Sequence, residues 1–401
     1  MIKPSTIPTP EKWFIFDTHP IQYRSPVFRE LAEILPGSEV IYFSNQFDGD
    51  HWWFHEVNKI PKQTWGIPLQ NGFSNRVLES RTLWGKLKEI SRLFLSEKPS
   101  AVLVYGYYLP EHWMVWAVAR WQKIPLVFIG ENYEVSEATV GFKAALKTLF
   151  RDQFLKSIKT FVSIGERNRK FYQSLGVSAA QIESAKYCID NSFFKTDELT
   201  QLQVRTSVRK AWKVAENDLV LLFVGRLFDR KRPFDLVELR NRLGNANIQI
   251  VVVGNGELET ALREQSRGLT RFHVLGFKNQ SEIRDCYWAS DMLLVPSEYE
   301  TWGLVTNEAF AAGMTAAVTD TCGTAGDLVI PGKTGIVFPV GDVDVLARSI
   351  QTLLAEPEKL QELKRNARDK VLTEYTPRLF AEKIANAFGA SGTNFGEQKA
   401  S

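Results

Sequence analysis

Cysteine is scarce in this chain. The three present, Cys188, Cys286 and Cys322, form no CxxC pair and have no metal-ligand spacing. No disulfide framework is therefore implied, and a reducing compartment suits the pattern. No apolar run approaches the roughly 18 residues that a membrane-crossing helix needs. The opening MIKPSTIPTPEK lacks the apolar stretch of a signal peptide. An excess of one charge is missing too: 49 Lys and Arg face 46 Asp and Glu, a formal net charge of +3. Whole-molecule electrostatics thus argue neither for nor against nucleic acid. No complete GxGxxG exists, and VVVGNGELE (251–259) supplies only GxG, which disfavours an NAD enzyme. These absences predict a soluble, cytosolic protein.

What is present is a long α/β alternation. At 401 residues the chain exceeds a single core. Strands are predicted at Trp13–Phe16, Glu39–Phe43, Ala101–Tyr105, Ile124–Ile129 and Thr160–Ile164, with helices between them. The segment from Lys195 to Asp218 is polar, has no strand signal and reads as an interdomain region. A second series follows, with strands at Leu219–Val224, Ile248–Val253, Phe272–Leu275, Met292–Val295, Ala316–Thr319 and Gly335–Val337. Strands alternating with helices mean parallel sheets with right-handed crossovers. The expected architecture is two Rossmann-like domains facing each other across a cleft.

The most informative stretch is PSEYETWGLVTNEAFAAGM, 296–314. A buried strand leads into a polar turn, then a helix expected to begin near Trp302 to Leu304 and run to Ala312. Glu300 and Glu308 stand eight positions apart across that turn. The amides of Thr301, Trp302, Gly303 and Leu304 would be unpaired helix N-terminal donors, an anion or hydroxyl site. Carboxylates flanking free amides suit a polyhydroxylated, phosphorylated ligand. The bland reading is an acid complementing a helix dipole plus one solvated glutamate.

Other strand-end loops carry further candidates. In GRLFDRKRP, Gly225 permits close backbone approach, and Arg226 and Lys231 suit a diphosphate, with Arg230 and Arg232 beside them. Solvated basic residues are the alternative. In the first half, His19, Tyr23 and Arg24 lie at a strand-to-helix mouth, and Glu131 in GENYE falls on the same edge. Loop capping and a surface acid are their plain alternatives. HWWFHEV (51–57) reads as aromatic packing or a sugar-stacking surface rather than a metal site. The basic amphipathic stretch from Phe142 to Lys159 can contact an anionic membrane, although such a charge run is more often a solvated face.

The residues from Val224 to Asp344 resemble the retaining glycosyltransferases of family 4, the group 1 glycosyltransferases. The resemblance rests on GRL with a lysine five positions after the arginine, VVVGNGE, VLGF, PSEYETWGLVTNEAFAAG and PGKTGIVFPVGD. THPIQYRSPVFREL looks like the opening of a bacterial subset. The resemblance implies a GT-B fold, with a last helix crossing back onto the N-terminal domain. It implies residues 1–205 as acceptor-binding domain, 206–375 as donor-binding domain, 376–390 as that helix and 391–401 as a disordered tail.

The resemblance also implies transfer of a sugar from a nucleotide-diphosphate donor with retention of configuration, without metal or added cofactor. Arg226 and Lys231 would bind the diphosphate, Glu300 the sugar hydroxyls and Glu308 the ribose. The amides at 301–304 would reach sugar and phosphate, and Gly254, Leu275 and Gly276 would border the base beside Gly225. The implied acceptor is a glycan or lipid-linked oligosaccharide in cell-surface polysaccharide synthesis. Departures are the HPIQY loop in place of a glycine-rich one, Gly130 and Glu131 where many members carry histidine, and Arg232 where glycine is common. They leave the roles of His19 and Glu131 open. Competing classes are a GT-B sugar-nucleotide epimerase and a non-catalytic nucleotide-sugar binding protein.

Overall fold

The computed structural model describes residues 11–45, 68–131, 152–244 and 247–391. The chain divides into two compact units, one of Met1–Ala185 with Pro377–Ser401 and one of Lys186–Thr376.

The first unit opens with β1 (Trp13–Asp17), α1 (Ser25–Ile34), β2 (Ser38–Tyr42) and the short β3 (Asn75–Val77). Then come α2 (Leu83–Glu97), β4 (Ala101–Tyr105), α3 (Pro110–Trp121), β5 (Leu126–Ile129), β6 (Thr160–Ser163), α4 (Glu166–Ser174) and β7 (Ile182–Ser184). The seven strands run parallel in the order β3-β2-β1-β4-β5-β6-β7. Their near-continuous apolar sequences are what a parallel sheet covered on both faces requires. Phe14, Phe16, Phe94, Phe128 and Phe161 are fully buried there and pack edge-on or stacked at ring separations near 6 Å.

The second unit contains α5 (Asn191–Phe194), α6 (Glu198–Trp212), β8 (Leu219–Val224), α7 (Phe234–Leu243), β9 (Ile248–Val253), α8 (Glu259–Gln265) and β10 (Phe272–Gly276). It continues with α9 (Gln280–Ala289), β11 (Met292–Val295), α10 (Val305–Ala311), β12 (Thr315–Thr319), β13 (Gly335–Phe338), α11 (Val343–Ala355) and α12 (Pro357–Glu374). Its six parallel strands are ordered β10-β9-β8-β11-β12-β13.

The last helix, α13 (Pro377–Ala390), returns to the first unit and packs along α1. Arg378 reaches Glu30 and Glu33 of α1, and Phe388 lies 6.5 Å from the Trp13 ring.

One sequence expectation is corrected here. The stretch from Lys195 to Asp218 is not a linker: most of it is α6, inside the second unit, and the division falls at Ala185/Lys186 rather than 205/206. The anchor is polar and so invisible to an apolar-periodicity reading. Arg209, fully buried, donates to Asp291 at 2.7 Å and to the carbonyls of Ala289, Ala215, Glu216 and Asp218. Arg205 and Lys364 also reach Asp291, whose carboxyl is held below its usual pKa because these cations outweigh its burial.

Candidate functional site

In each sheet the chain builds outward on one side and then returns to the other side of its first strand. Such a reversal leaves a crevice at the carboxyl ends of the two strands that flank it. In the second unit those strands are β8 and β11.

β8 delivers the loop from Gly225 to Lys231, and β11 delivers Pro296 to Leu304. The two loops are joined directly. The Glu298 N–H donates to the Arg230 carbonyl at 2.8 Å, and the Lys231 ammonium forms an ion pair with the Glu300 carboxylate. Ser297 donates its hydroxyl to the same carboxylate oxygen at 2.7 Å. Glu300 is 7% exposed, and its burial is offset by the lysine and serine that satisfy it. The loop after β12 braces the turn: Thr319 donates to the Ser297 carbonyl, Thr321 to that of Glu298 and the Gly323 amide to that of Glu300.

Arg226 stands half-buried, its guanidinium 5.8 Å from the Phe228 ring, and faces no carboxylate among the described residues. Arg230 lies 4.6 Å over the Tyr299 ring. Arg232 is turned away and pairs in bidentate fashion with Asp235. Its φ of 50° is left-handed, which explains why a glycine would be at ease there.

The turn itself differs from the expectation in one way. The helix begins at Val305 rather than within Trp302–Leu304, because Gly303 adopts φ 96°, which no helix accommodates. The Trp302 ring is buried, its indole N–H donates to Asn307 at 2.9 Å, and Asn307 donates onward to the Tyr187 carbonyl. The amides of Thr301, Trp302, Gly303 and Leu304 have no hydrogen-bond acceptor among the described residues. Glu308 sits in the first turn of α10 and accepts from the Tyr287 hydroxyl at 2.6 Å.

The glycines of the neighbouring strand ends allow the loops to close together. Gly254 has φ 143°, and a Cβ there would lie 1.7 Å from the Gly225 carbonyl oxygen. Its N–H donates to the Gly276 carbonyl at 2.9 Å, which carries the contact on to the end of β10 beside Leu275.

Ser297 and Tyr287 escaped the sequence reading. Ser297 lies three positions before Glu300, a spacing a tight turn brings together. Tyr287 sits on another helix, and nothing in the sequence pairs it with Glu308.

The first unit has its own cluster at the reversal between β1 and β4. Arg24 forms ion pairs with Asp17, at the end of β1, and with Glu131, beyond β5, the latter at 2.8 Å; its guanidinium also lies 4.4 Å over the Tyr105 ring. Asp17 is completely buried and its pKa is raised by that burial, which Arg24 only partly offsets. Glu131 is the accessible member, with a side chain 37% exposed. Its backbone is steadied at Gly130, which Tyr172 and Asn168 hold by three hydrogen bonds of 2.8–2.9 Å. His19 contacts the Thr18 hydroxyl at 2.9 Å, and burial with the nearby Arg24 charge lowers its pKa to about 4, so it is neutral at pH 7.

HWWFHEV lies outside the described residues, as do residues 142–151 of the basic stretch and 392–401 of the tail. In the described remainder of the basic stretch, Leu155 and Ile158 are buried in the first unit's core. That part of the apolar stripe faces inward, not toward a membrane. Among the described residues no helix is long and apolar enough to cross a membrane, and no group of three or more His, Cys, Asp or Glu could hold a metal ion.

Comparisons with known proteins bear on one segment of the chain and on its fold. The family described as glycosyl transferases group 1 matches residues 204–370. A glycogen synthase of Mycobacterium tuberculosis is 32% identical over 178 residues, covering 43% of this chain and 42% of that protein. A D-inositol 3-phosphate glycosyltransferase of Gordonia bronchialis is 28% identical over 179 residues, covering 41% and 39%. This chain thus spans about four tenths of the length of these curated relatives. Anabaena HepE, solved in complex with UDP, superimposes with a TM-score of 0.73 at 16% identity, covering 94% of this chain and all of the other. The resemblance to the group 1 glycosyl transferases holds over the matched segment, and the fold is GT-B.

Proposed function

We propose that this chain, a GT-B protein with a group 1 glycosyl transferase segment, transfers a glycosyl group from a nucleoside-diphosphate sugar to a glycan or lipid-linked acceptor, with retention of configuration. The observation that carries the reading is the Lys231–Glu300 pair beside the unengaged 301–304 amides, at the strand-order reversal of the matched segment. The D-inositol 3-phosphate glycosyltransferase that the chain resembles over 179 residues is a glycosyltransferase by name.

In this reading the diphosphate exchanges with the existing ion pair. Arg226 and Lys231 take the phosphate oxygens, and the 301–304 amides add fixed donors. Glu300, released from lysine, accepts from sugar hydroxyls. Glu308, oriented by Tyr287, accepts from the ribose. Gly225, Gly254, Leu275 and Gly276 border the base. When the anomeric carbon–oxygen bond breaks, the departing diphosphate carries the developing charge, which the two cations offset without a metal ion. The acceptor hydroxyl oxygen forms the new bond to the anomeric carbon, and its proton passes to the departing diphosphate oxygen. We assign Glu131, held by Arg24, and His19 to the acceptor side, and place the enzyme in the cytoplasm, in cell-surface polysaccharide synthesis.

The test is a thermal-shift screen of nucleoside diphosphates and their sugars, with and without EDTA, followed by a transfer assay with the stabilising donor. A ligand that binds only the native state raises the midpoint by mass action. The reading predicts stabilisation by one nucleotide series, unchanged by chelator and lost in Lys231→Ala. No shift with any nucleotide would overturn it.

A further inference from the structure

The outward flank of α2 carries a combination of side chains that a soluble core does not need. Trp84 is 65% exposed, Leu95 56% and Leu83 48%. Trp84, Leu87, Lys88, Ser91, Arg92 and Leu95 line one open concavity. The positions recur at three- and four-residue spacing, which places them along one side of the helix. Ile90 and Phe94, on a different side, are fully buried and Leu87 packs partly against the same core, so Trp84, Lys88, Arg92 and Leu95 are the residues surplus to the helix's own packing.

The charges on α2 are sorted between the two sides. Lys86 is directed inward to the buried Glu111 at 2.7 Å. Glu89 accepts from the backbone N–H groups of Glu79 and Ser80. Glu97 is taken by Lys12 and Arg76. Each acid of the helix is therefore engaged elsewhere. Lys88 and Arg92, both exposed, have no carboxylate partner among the described residues. Lys88 instead holds its ammonium 5.7 Å from the centre of the Trp84 ring. The face is apolar and cationic at once.

We propose that this flank of α2 is a docking surface for an anionic lipid membrane. An indole and leucines flanked by cations, on a helix lying flat against its own domain, match the interfacial mode of binding, in which apolar side chains enter the headgroup boundary and Lys and Arg meet anionic lipid. Two cations and one indole give reversible binding. The inference rests on α2 alone and stands or falls independently of the transferase reading.

The experiment uses the full chain in co-sedimentation with vesicles of phosphatidylcholine, with or without phosphatidylglycerol. Binding is expected only to the anionic vesicles, with release by salt. The double variant Lys88→Glu/Arg92→Glu should weaken partitioning by about tenfold or more. Trp84→Ala should weaken binding at low salt, and brominated lipid should quench less fluorescence in Trp84→Phe than in the parent. The substituted side chains are exposed, so unchanged thermal midpoints should accompany these losses. Equal partitioning of parent and variants would overturn the proposal. So would concentration-dependent self-association that Trp84→Ala abolishes while vesicles go unbound, since a second copy would then cover the face.

Discussion

The two units share one architecture and arm it differently. In both, the strand order reverses beside the first strand, and polar residues gather at the carboxyl edge there. In the second unit the gathering is made of short loops, unengaged amides and glycines, with Glu300 and Glu308 each held by a single side-chain partner or two. In the first it is a partly buried ionic cluster, Asp17–Arg24–Glu131, over a tyrosine ring. Backbone donors cost nothing to orient and suit a ligand with invariant phosphates. Side-chain clusters can be exchanged position by position, which suits a partner that varies. The second unit should therefore lose function when altered, and the first should lose stability.

The sharpest way to break that contrast is Glu300→Ala. If Glu300 meets the donor sugar, transfer should fall by about a thousandfold or more, with the melting midpoint little changed. A folded variant that keeps parental transfer would sink the assignment.

Arg24→Met tests the other side. It leaves the fully buried Asp17 and part of Glu131 without their cation, and stripping one partner from a buried pair costs about 3–5 kcal/mol. The pH dependence gives a signature. Without Arg24 the folded pKa of Asp17 rises further above its unfolded value. Stability is then retained while Asp17 is protonated and lost as pH rises, so denaturant midpoints of Arg24→Met should drop further at pH 8 than at pH 5.

His112 has the opposite sign. It is wholly buried, accepts from the Leu109 N–H and contacts the Tyr105 carbonyl, and its pKa is lowered to about 4, chiefly by burial. A folded pKa below the unfolded 6.5 means that the unfolded chain binds the extra proton. Stability is present above pH 6.5 and lost as pH falls toward 4, by on the order of 3 kcal/mol for the full interval. In His112→Gln, urea midpoints between pH 7 and 5 should change less than in the parent. A parallel pH profile would show that His112 is not the titrating group.

These contrasts also mark what a sequence can disclose. The strands were legible because parallel strands covered on both faces are runs of apolar residues, as in Phe14–Phe16 or Val251–Val253. The Glu300 and Glu308 pair was legible from its spacing around a strand-to-helix turn. The Lys231–Glu300 ion pair was not, because it depends on β8 and β11 being neighbours, and strand order is a property of the folded sheet. Helix α6 was misread because the side chain that fastens it, Arg209, is charged, and polar burial leaves no periodic apolar trace.

The smallest effect separates orientation from contact. The Tyr287 hydroxyl donates to Glu308 at 2.6 Å, and Tyr287→Phe removes that bond while keeping the ring, which packs edge-on to Phe194 at 5.8 Å. A hydrogen bond to a charged acceptor contributes about 1.5–3 kcal/mol, and water entering beside Glu308 recovers part of it. The net loss should be near 1 kcal/mol, about fivefold in the dissociation constant for the nucleoside diphosphate, with kcat unchanged once donor saturates. Isothermal titration of the diphosphate against parent and variant reads this directly. If Glu308 grips the ribose, a 2′-deoxyribose analogue should bind the two proteins with more nearly equal affinity, because the acceptor that Tyr287 orients has lost a hydroxyl to receive. Equal penalties on both sugars would make Tyr287 a packing residue of α9 and leave the orientation of Glu308 to its helix.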